Sequence, residues 1–276
     1  MIQRTACTLR IGLALAGPRS AQSSGEPAAP GDPIPPHATF TVASAALGEA
    51  RVINVYTPPG YDSAAGVAYP VLYMPDGGVA EDFPHIANTI DSLIGLDAIE
   101  PVIVVGIENT ERRRDLTGPT AVASDSTIAP RVGGSAAFRE FIRDELMPEI
   151  RTRYRTGGET TIVGESLAGL FIVETFLLEP TLFHNYIALS PSLWWSDSEL
   201  VRTAGARIGA LTGLERTLYL TSADEAEIAA GTASLADTLA TRTLPGLTLY
   251  HEPRPDLQHG TIFRGAVAGA FVKVLR

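Results

Sequence analysis

The sequence predicts an α/β domain with a mainly parallel central sheet and helices on both faces. Three observations carry this. Tyr69-Pro-Val-Leu-Tyr-Met74 and Pro101-Val-Ile-Val-Val-Gly106 are short continuous apolar runs, as expected of strands buried on both faces. Phe138, Phe141, Ile142, Leu146 and Ile150 recur at spacings of three and four, with charged residues between them, as on an amphipathic helix. Strand and helix patterns then alternate to the end, with no internal repeat and no second composition regime, so residues 37–276 read as one domain.

Residues 1–21 resemble a weak secretory signal. Arg4 and Arg10 precede the short apolar run Ile11 to Gly17, and the small residues Ser20 and Ala21 follow. A functional signal makes the protein secreted or periplasmic; otherwise it is cytoplasmic. Residues 22–36, rich in Ser, Ala, Gly and Pro, read as a flexible linker, with order starting near His37. Residues 38–45 and 51–56 alternate apolar and polar side chains, as strands with one wet face do. Pro58 to Asp62 is turn chemistry. The helix at 138–150 starts after Gly133-Gly134, with Ser135 as its N-cap. Residues 160–163, 186–189, 217–221 and 247–251 are further strands. Residues 167–178, 199–211, 225–239 and 261–274 are further helices.

Composition works by exclusion. Among 276 residues the formal charge is −10, which disfavours nucleic acid, whose phosphates demand clustered Lys and Arg. A single cysteine, Cys7, rules out an intrachain disulfide and any multi-cysteine metal site. No stretch approaches the roughly 20 apolar residues of a membrane span. No His-Glu-x-x-His or Gly-x-Gly-x-x-Gly appears, so neither a metal nor an organic cofactor is expected.

Chemistry concentrates at Gly164-Glu165-Ser166-Leu167-Ala168-Gly169, between a predicted strand and a predicted helix. That context suits a nucleophile elbow, with Ser166 lifted on a sharp turn and the Leu167 N–H aimed at a developing oxyanion. Ala168 stands where the pattern has its second glycine. The competing role for Ser166 is an ordinary helix N-cap. A serine hydroxyl needs a base. Of five histidines, His37, His85 and His184 come too early, and His251 falls in the last strand. His259 lies in the polar stretch Asp256 to Thr261 before the closing helix, the place of the base in this chain order. The acid follows the penultimate strand, where Asp224 and Glu225 are adjacent. Glu225 is favoured and Asp224 is the alternative, since one residue of shift at a strand end turns the side chain away. A helix-capping role is open to both.

Five segments in order then resemble the esterase D-like family of α/β-hydrolases: Tyr69 to Gly78, Arg114-Asp115-Leu116-Thr117, the Ser166 elbow, Ser190-Pro-Ser-Leu-Trp-Trp195 and the His259 stretch. This branch holds ferric-siderophore lactone esterases, feruloyl and acetyl-xylan esterases and mycolyltransferases. The resemblance implies an α/β-hydrolase fold and the roles already given to Ser166 and His259. It implies an acid at Glu225, although Ser222 replaces a usual glycine and keeps Asp224 open. It places a second oxyanion N–H at Gly77 or Gly78. Arg112, Arg113 and Arg114 follow the strand ending near Gly106, on the active-site side of such a sheet, and are either a solvated basic loop or a clamp for a carboxylate or polyhydroxy substrate, with Arg114 the favoured member. Trp194 and Trp195 are candidate pocket walls, with core packing an equal alternative. The expected activity is hydrolysis of short-chain, aryl, siderophore or sugar-type esters through an acyl-enzyme. An acyltransferase and a noncatalytic ligand-binding protein are the alternatives.

Overall fold

The computed structural model describes residues 32–276 apart from 212 and 243. The signal-like segment and most of the linker lie outside the described residues. Contacts begin ahead of His37: Asp32 pairs with Arg264, and the Pro33 carbonyl accepts a hydrogen bond from Asn88.

Eight strands form one sheet in the order β1-β2-β4-β3-β5-β6-β7-β8. They are β1 (Ala38–Ser44), β2 (Glu49–Tyr56), β3 (Tyr69–Met74), β4 (Ile103–Ile107), β5 (Thr156–Glu165), β6 (Asn185–Leu189), β7 (Arg216–Thr221) and β8 (Leu247–His251). The pairings of β1 with β2 and of β2 with β4 are antiparallel, and the rest are parallel. This is the α/β-hydrolase arrangement. Period-two alternation divides the central strands between two apolar layers. Val71, Tyr73, Ile103 and Val105 enter one layer, while Leu72, Met74 and Val104 enter the other.

Helices α1 (Phe83–Gly95) and α9 (His259–Val274) cover one face, closing over Leu72 and Met74 with Phe83, Ile86, Phe263 and Phe271. Two single turns follow β4, α2 (Arg112–Asp115) and α3 (Ala123–Ser126). The far face carries α4 (Ser135–Glu140), α5 (Met147–Arg153), α6 (Leu167–Leu178), α7 (Trp195–Arg207) and α8 (Ala226–Ala240). Helix α6 has apolar residues all round because it is buried on every side. Among the described residues no helix is long and apolar enough to cross a membrane.

Three local departures from the pattern have physical causes. Helices α4 and α5 join through a π-helical turn, Phe141–Leu146, just before Pro148. The wider turn accommodates a residue that lacks an N–H and whose ring crowds the preceding carbonyls. Gly134, not Ser135, is the N-cap of α4, and the Ser135 N–H donates to Thr117 O instead. In α7 the residues Ser196, Asp197 and Ser198 are left-handed, with φ of 53°, 53° and 56°. Right-handed helix therefore starts near Glu199, where the sequence pattern puts it. The Ser196 N–H is tied to Asp125 of α3.

Candidate active site

The chain steps from β3 outward to β4 and then back to β5, so the crevice beyond the carboxyl ends of β3 and β5 is the switch point of the sheet. Both turns that the sequence marks as chemical lie there, Asp76-Gly77-Gly78 after β3 and Ser166 after β5.

Ser166 has φ 60° and ψ −117°, a strained conformation for a residue with a Cβ. Its neighbours hold it. The Ser166 N–H donates to Leu189 O, and its carbonyl accepts from the Ser192 N–H, both at 3.0 Å. A Cβ on Gly164 would lie 2.6 Å from the Cβ of Ala168, and one on Gly169 would press on Leu189 and Pro191. Because Gly164 gives up that volume, alanine fits at 168. Leu167 is the first residue of α6, so its N–H has no acceptor within the helix and faces the turn with the positive end of the helix dipole.

Three side chains from three elements form one hydrogen-bonded line. Ser166 Oγ is 3.0 Å from His259 Nε2, and His259 Nδ1 is 2.7 Å from Glu225 Oε2. His259 is the first residue of α9 rather than part of a loop, and its place is fixed by a capping box between Gln258 and Thr261. Glu225 sits at the N-cap of α8 but makes no capping bond, because its carboxylate is turned to the imidazole. Asp224 does not reach it. One residue earlier in the strand-end turn, its side chain is exposed, and its N–H donates to Leu257 O.

The β3 turn differs from expectation. The Gly77 N–H donates to Ile107 O, and a Cβ there would strike the Gly106 backbone at 2.3 Å, so Gly77 serves close packing of β3 against β4. The Gly78 N–H donates to Glu81 Oε2 at 2.7 Å. Neither N–H is open to an oxyanion in this arrangement. The arginine assignment also shifts. Arg114 is committed to Glu49 by two hydrogen bonds and to Asp115 by a third, so it is part of the scaffold rather than a substrate clamp. Arg112 is the one at the crevice, gripping Asp76 through Nε and Nη2 at 2.6 and 2.8 Å. Trp195 is buried, with its indole N–H on Gly118 O, and belongs to the core. Trp194 is half-buried against it.

Two groups here were not singled out by the sequence. Ser192 Oγ lies 3.3 Å from Ser166 Oγ. Glu165 Oε1 lies 3.1 Å from His259 Nε2, on the same nitrogen that meets Ser166. Burial pushes the Glu165 carboxyl well above the usual carboxylate range, against the pull of Arg112. Asp82, at the head of α1, is likewise pushed up to about 7 by burial and then by Asp76. A raised carboxyl favours the folded state while protonated. The contribution of Asp82 is complete below its ordinary value of 3.8 and is lost as pH rises toward 7. Asp82→Asn is therefore expected to raise the melting temperature relative to wild type at pH 8 and much less at pH 4.5. Paired melts at the two pH values check this, and a gain that does not depend on pH contradicts it.

Comparison with known proteins places the chain among esterases. A family model described as Putative esterase matches residues 44–248. Ferri-bacillibactin esterase BesA of Bacillus subtilis is 32% identical over 171 residues, covering 56% of this chain and 58% of that protein. Siderophore triacetylfusarinine C esterase of Aspergillus fumigatus is 33% identical over 99 residues, covering 34% of this chain and 32% of that protein. These matches span less than two thirds of either relative. Apo-salmochelin esterase of Escherichia coli is 25% identical over 81% of this chain and 75% of its own. Among solved structures, an IroE-like serine hydrolase from Shewanella oneidensis superposes with a TM-score of 0.75 at 26% identity, covering 86% of this chain and 78% of that one. With well over half of its length matched by the family model, the chain belongs to the Putative esterase family.

Proposed function

We propose that this protein is a serine carboxylic-ester hydrolase whose natural substrates are siderophore-type esters. The observation that carries the mechanism is the line from Glu225 through His259 to Ser166 on a strained elbow. His259 Nε2 takes the Ser166 proton as Oγ attacks the ester carbonyl. Glu225 at Nδ1 fixes the tautomer and stabilises the imidazolium. The Leu167 N–H receives the oxyanion at the head of α6. Collapse of the adduct breaks the carbon–oxygen bond, and the imidazolium protonates the departing alcohol. Water then repeats the sequence on the acyl-enzyme, with His259 again as base, and frees the acid.

The siderophore assignment is supported by the relatives named for that activity. Trp194 offers an apolar wall beside the turn that carries Ser192. The test is to incubate the protein with a fluorophosphonate probe, digest it, and locate the adduct by mass spectrometry, beside hydrolysis of p-nitrophenyl esters from acetate to decanoate and of a trilactone siderophore. The expected result is a single adduct on Ser166, turnover of the short esters and linear products from the lactone. An unlabelled Ser166 in folded protein overturns the mechanism. Turnover of the short esters with an untouched lactone overturns the substrate class alone.

A further inference from the structure

The Oε1 atom of Glu165 is shut off from solvent and has no hydrogen-bond partner among the described residues. A buried carboxyl oxygen without a donor costs free energy, so it calls for a cause. Its near neighbour is His259 Nε2 at 3.1 Å, close enough in distance but not in hydrogen-bond geometry, because Nε2 is engaged with Ser166 Oγ at 3.0 Å. In the resting site Nε2 is an acceptor for the serine hydroxyl and has no proton to offer. After Ser166 has given up its proton, Nε2 carries an N–H while Oγ is bonded to the acyl carbon.

We propose that Glu165 is a further catalytic group, its Oε1 set beside Nε2 to accept the N–H that His259 carries only while protonated. The missing donor is thus supplied during turnover. A small rotation of the imidazole brings Nε2–H onto Oε1 and keeps it near the departing alcohol oxygen. Glu225 holds the other nitrogen, so the imidazolium is embraced at both ends. No proton passes to Glu165, which acts as an acceptor throughout.

The surroundings suit this role. Facing Glu165 are Arg112 of α2, Asp76 of the β3 turn, Asp82 at the head of α1, and Glu225 and His259 at the heads of α8 and α9. A full negative charge at Glu165 would lock the proton on His259. Burial together with Asp76, Asp82 and Glu225 disfavours that charge, against the pull of Arg112. With that charge disfavoured, Oε1 serves as an acceptor without trapping the base.

This inference rests on the serine-hydrolase reading, so its test has one arm that needs no turnover. Compare wild type with Glu165→Met, which removes the acceptor, and Glu165→Gln, which keeps an amide oxygen in its place. In the first arm, ¹⁵N NMR of the His259 ring at pH 6 reports the imidazolium fraction. It is expected to fall in Glu165→Met and to be largely restored in Glu165→Gln. In the second arm, the plateau of kcat is expected to drop about tenfold or more in Glu165→Met, the worth of one hydrogen bond to a charged group. The acid limb of kcat/KM should also move to lower pH by about half a unit or more. A purely structural defect lowers the plateau without moving the limb or the ring signal. Ring signals that superpose in wild type and Glu165→Met overturn the proposal, as does Glu165→Gln behaving like Glu165→Met. A moved ring signal in a protein without esterase turnover sinks the hydrolase reading instead.

Discussion

Ser166→Ala is expected to lower kcat/KM for short p-nitrophenyl esters by about 10³- to 10⁶-fold, and His259→Ala by a similar factor. The double variant should be little worse than either single one, because nucleophile and base act as a unit: with the 3.0 Å contact broken at either end, the other group has nothing to act on. Glu225→Ala is expected to cost about 10³- to 10⁴-fold, since the imidazole then loses the partner that sets its tautomer. Asp224→Ala should stay within about threefold of wild type, for its side chain is exposed and the imidazole Nδ1 is hydrogen-bonded to Glu225 instead. Initial rates of the five variants, each checked for folding by circular dichroism, decide the matter. Full activity in Ser166→Ala removes the nucleophile, and equal losses in Asp224→Ala and Glu225→Ala remove the choice of acid.

That choice shows where a sequence stops informing about a site. Ser166 and His259 are legible because backbone context defines them, one between a strand and a helix and the other at the head of the closing helix. Asp224 and Glu225 are adjacent carboxylates at the end of β7, and only the turn angle decides which one faces inward. The three consecutive arginines pose the same problem more acutely. In the single turn α2 each residue is rotated by about 100° from the one before. Arg112 and Arg114 therefore face opposite ways, one to Asp76 and the other to Glu49. Most strands are plain as apolar runs. Helix α1 escapes the pattern because Pro84 looks like a breaker, although it occupies the first turn, where a missing N–H costs nothing. Glu165 escapes for another reason: the middle residue of an elbow has no fixed type, and its role exists only once α9 brings His259 beside it.

Asp115→Ala is expected to destabilise the fold by about 3–5 kcal/mol, seen as a fall of roughly 10 °C in melting temperature. Arg51 and Asp115 are both fully buried and paired, with Glu49 and Arg114 completing a four-residue network that ties α2 to β2. Removing Asp115 leaves a guanidinium under the sheet with half of its anionic support, and its stacking on Phe138 cannot replace that. The cost is one of an uncompensated charge rather than of a lost contact. The double variant Arg51→Met with Asp115→Leu should accordingly melt much closer to wild type than Asp115→Ala does. The consequence reaches the site, because α2 also carries Arg112, whose grip on Asp76 sets the charge seen by Glu165. In the double variant, stability and catalysis should separate: the melting temperature recovers while kcat/KM stays lowered, as α2 keeps only the Arg114–Glu49 part of its polar anchor but the core keeps its volume. Melting Asp115→Ala within about 2 °C of wild type would show that water reaches Arg51, and the link from this network to the site would fall with it.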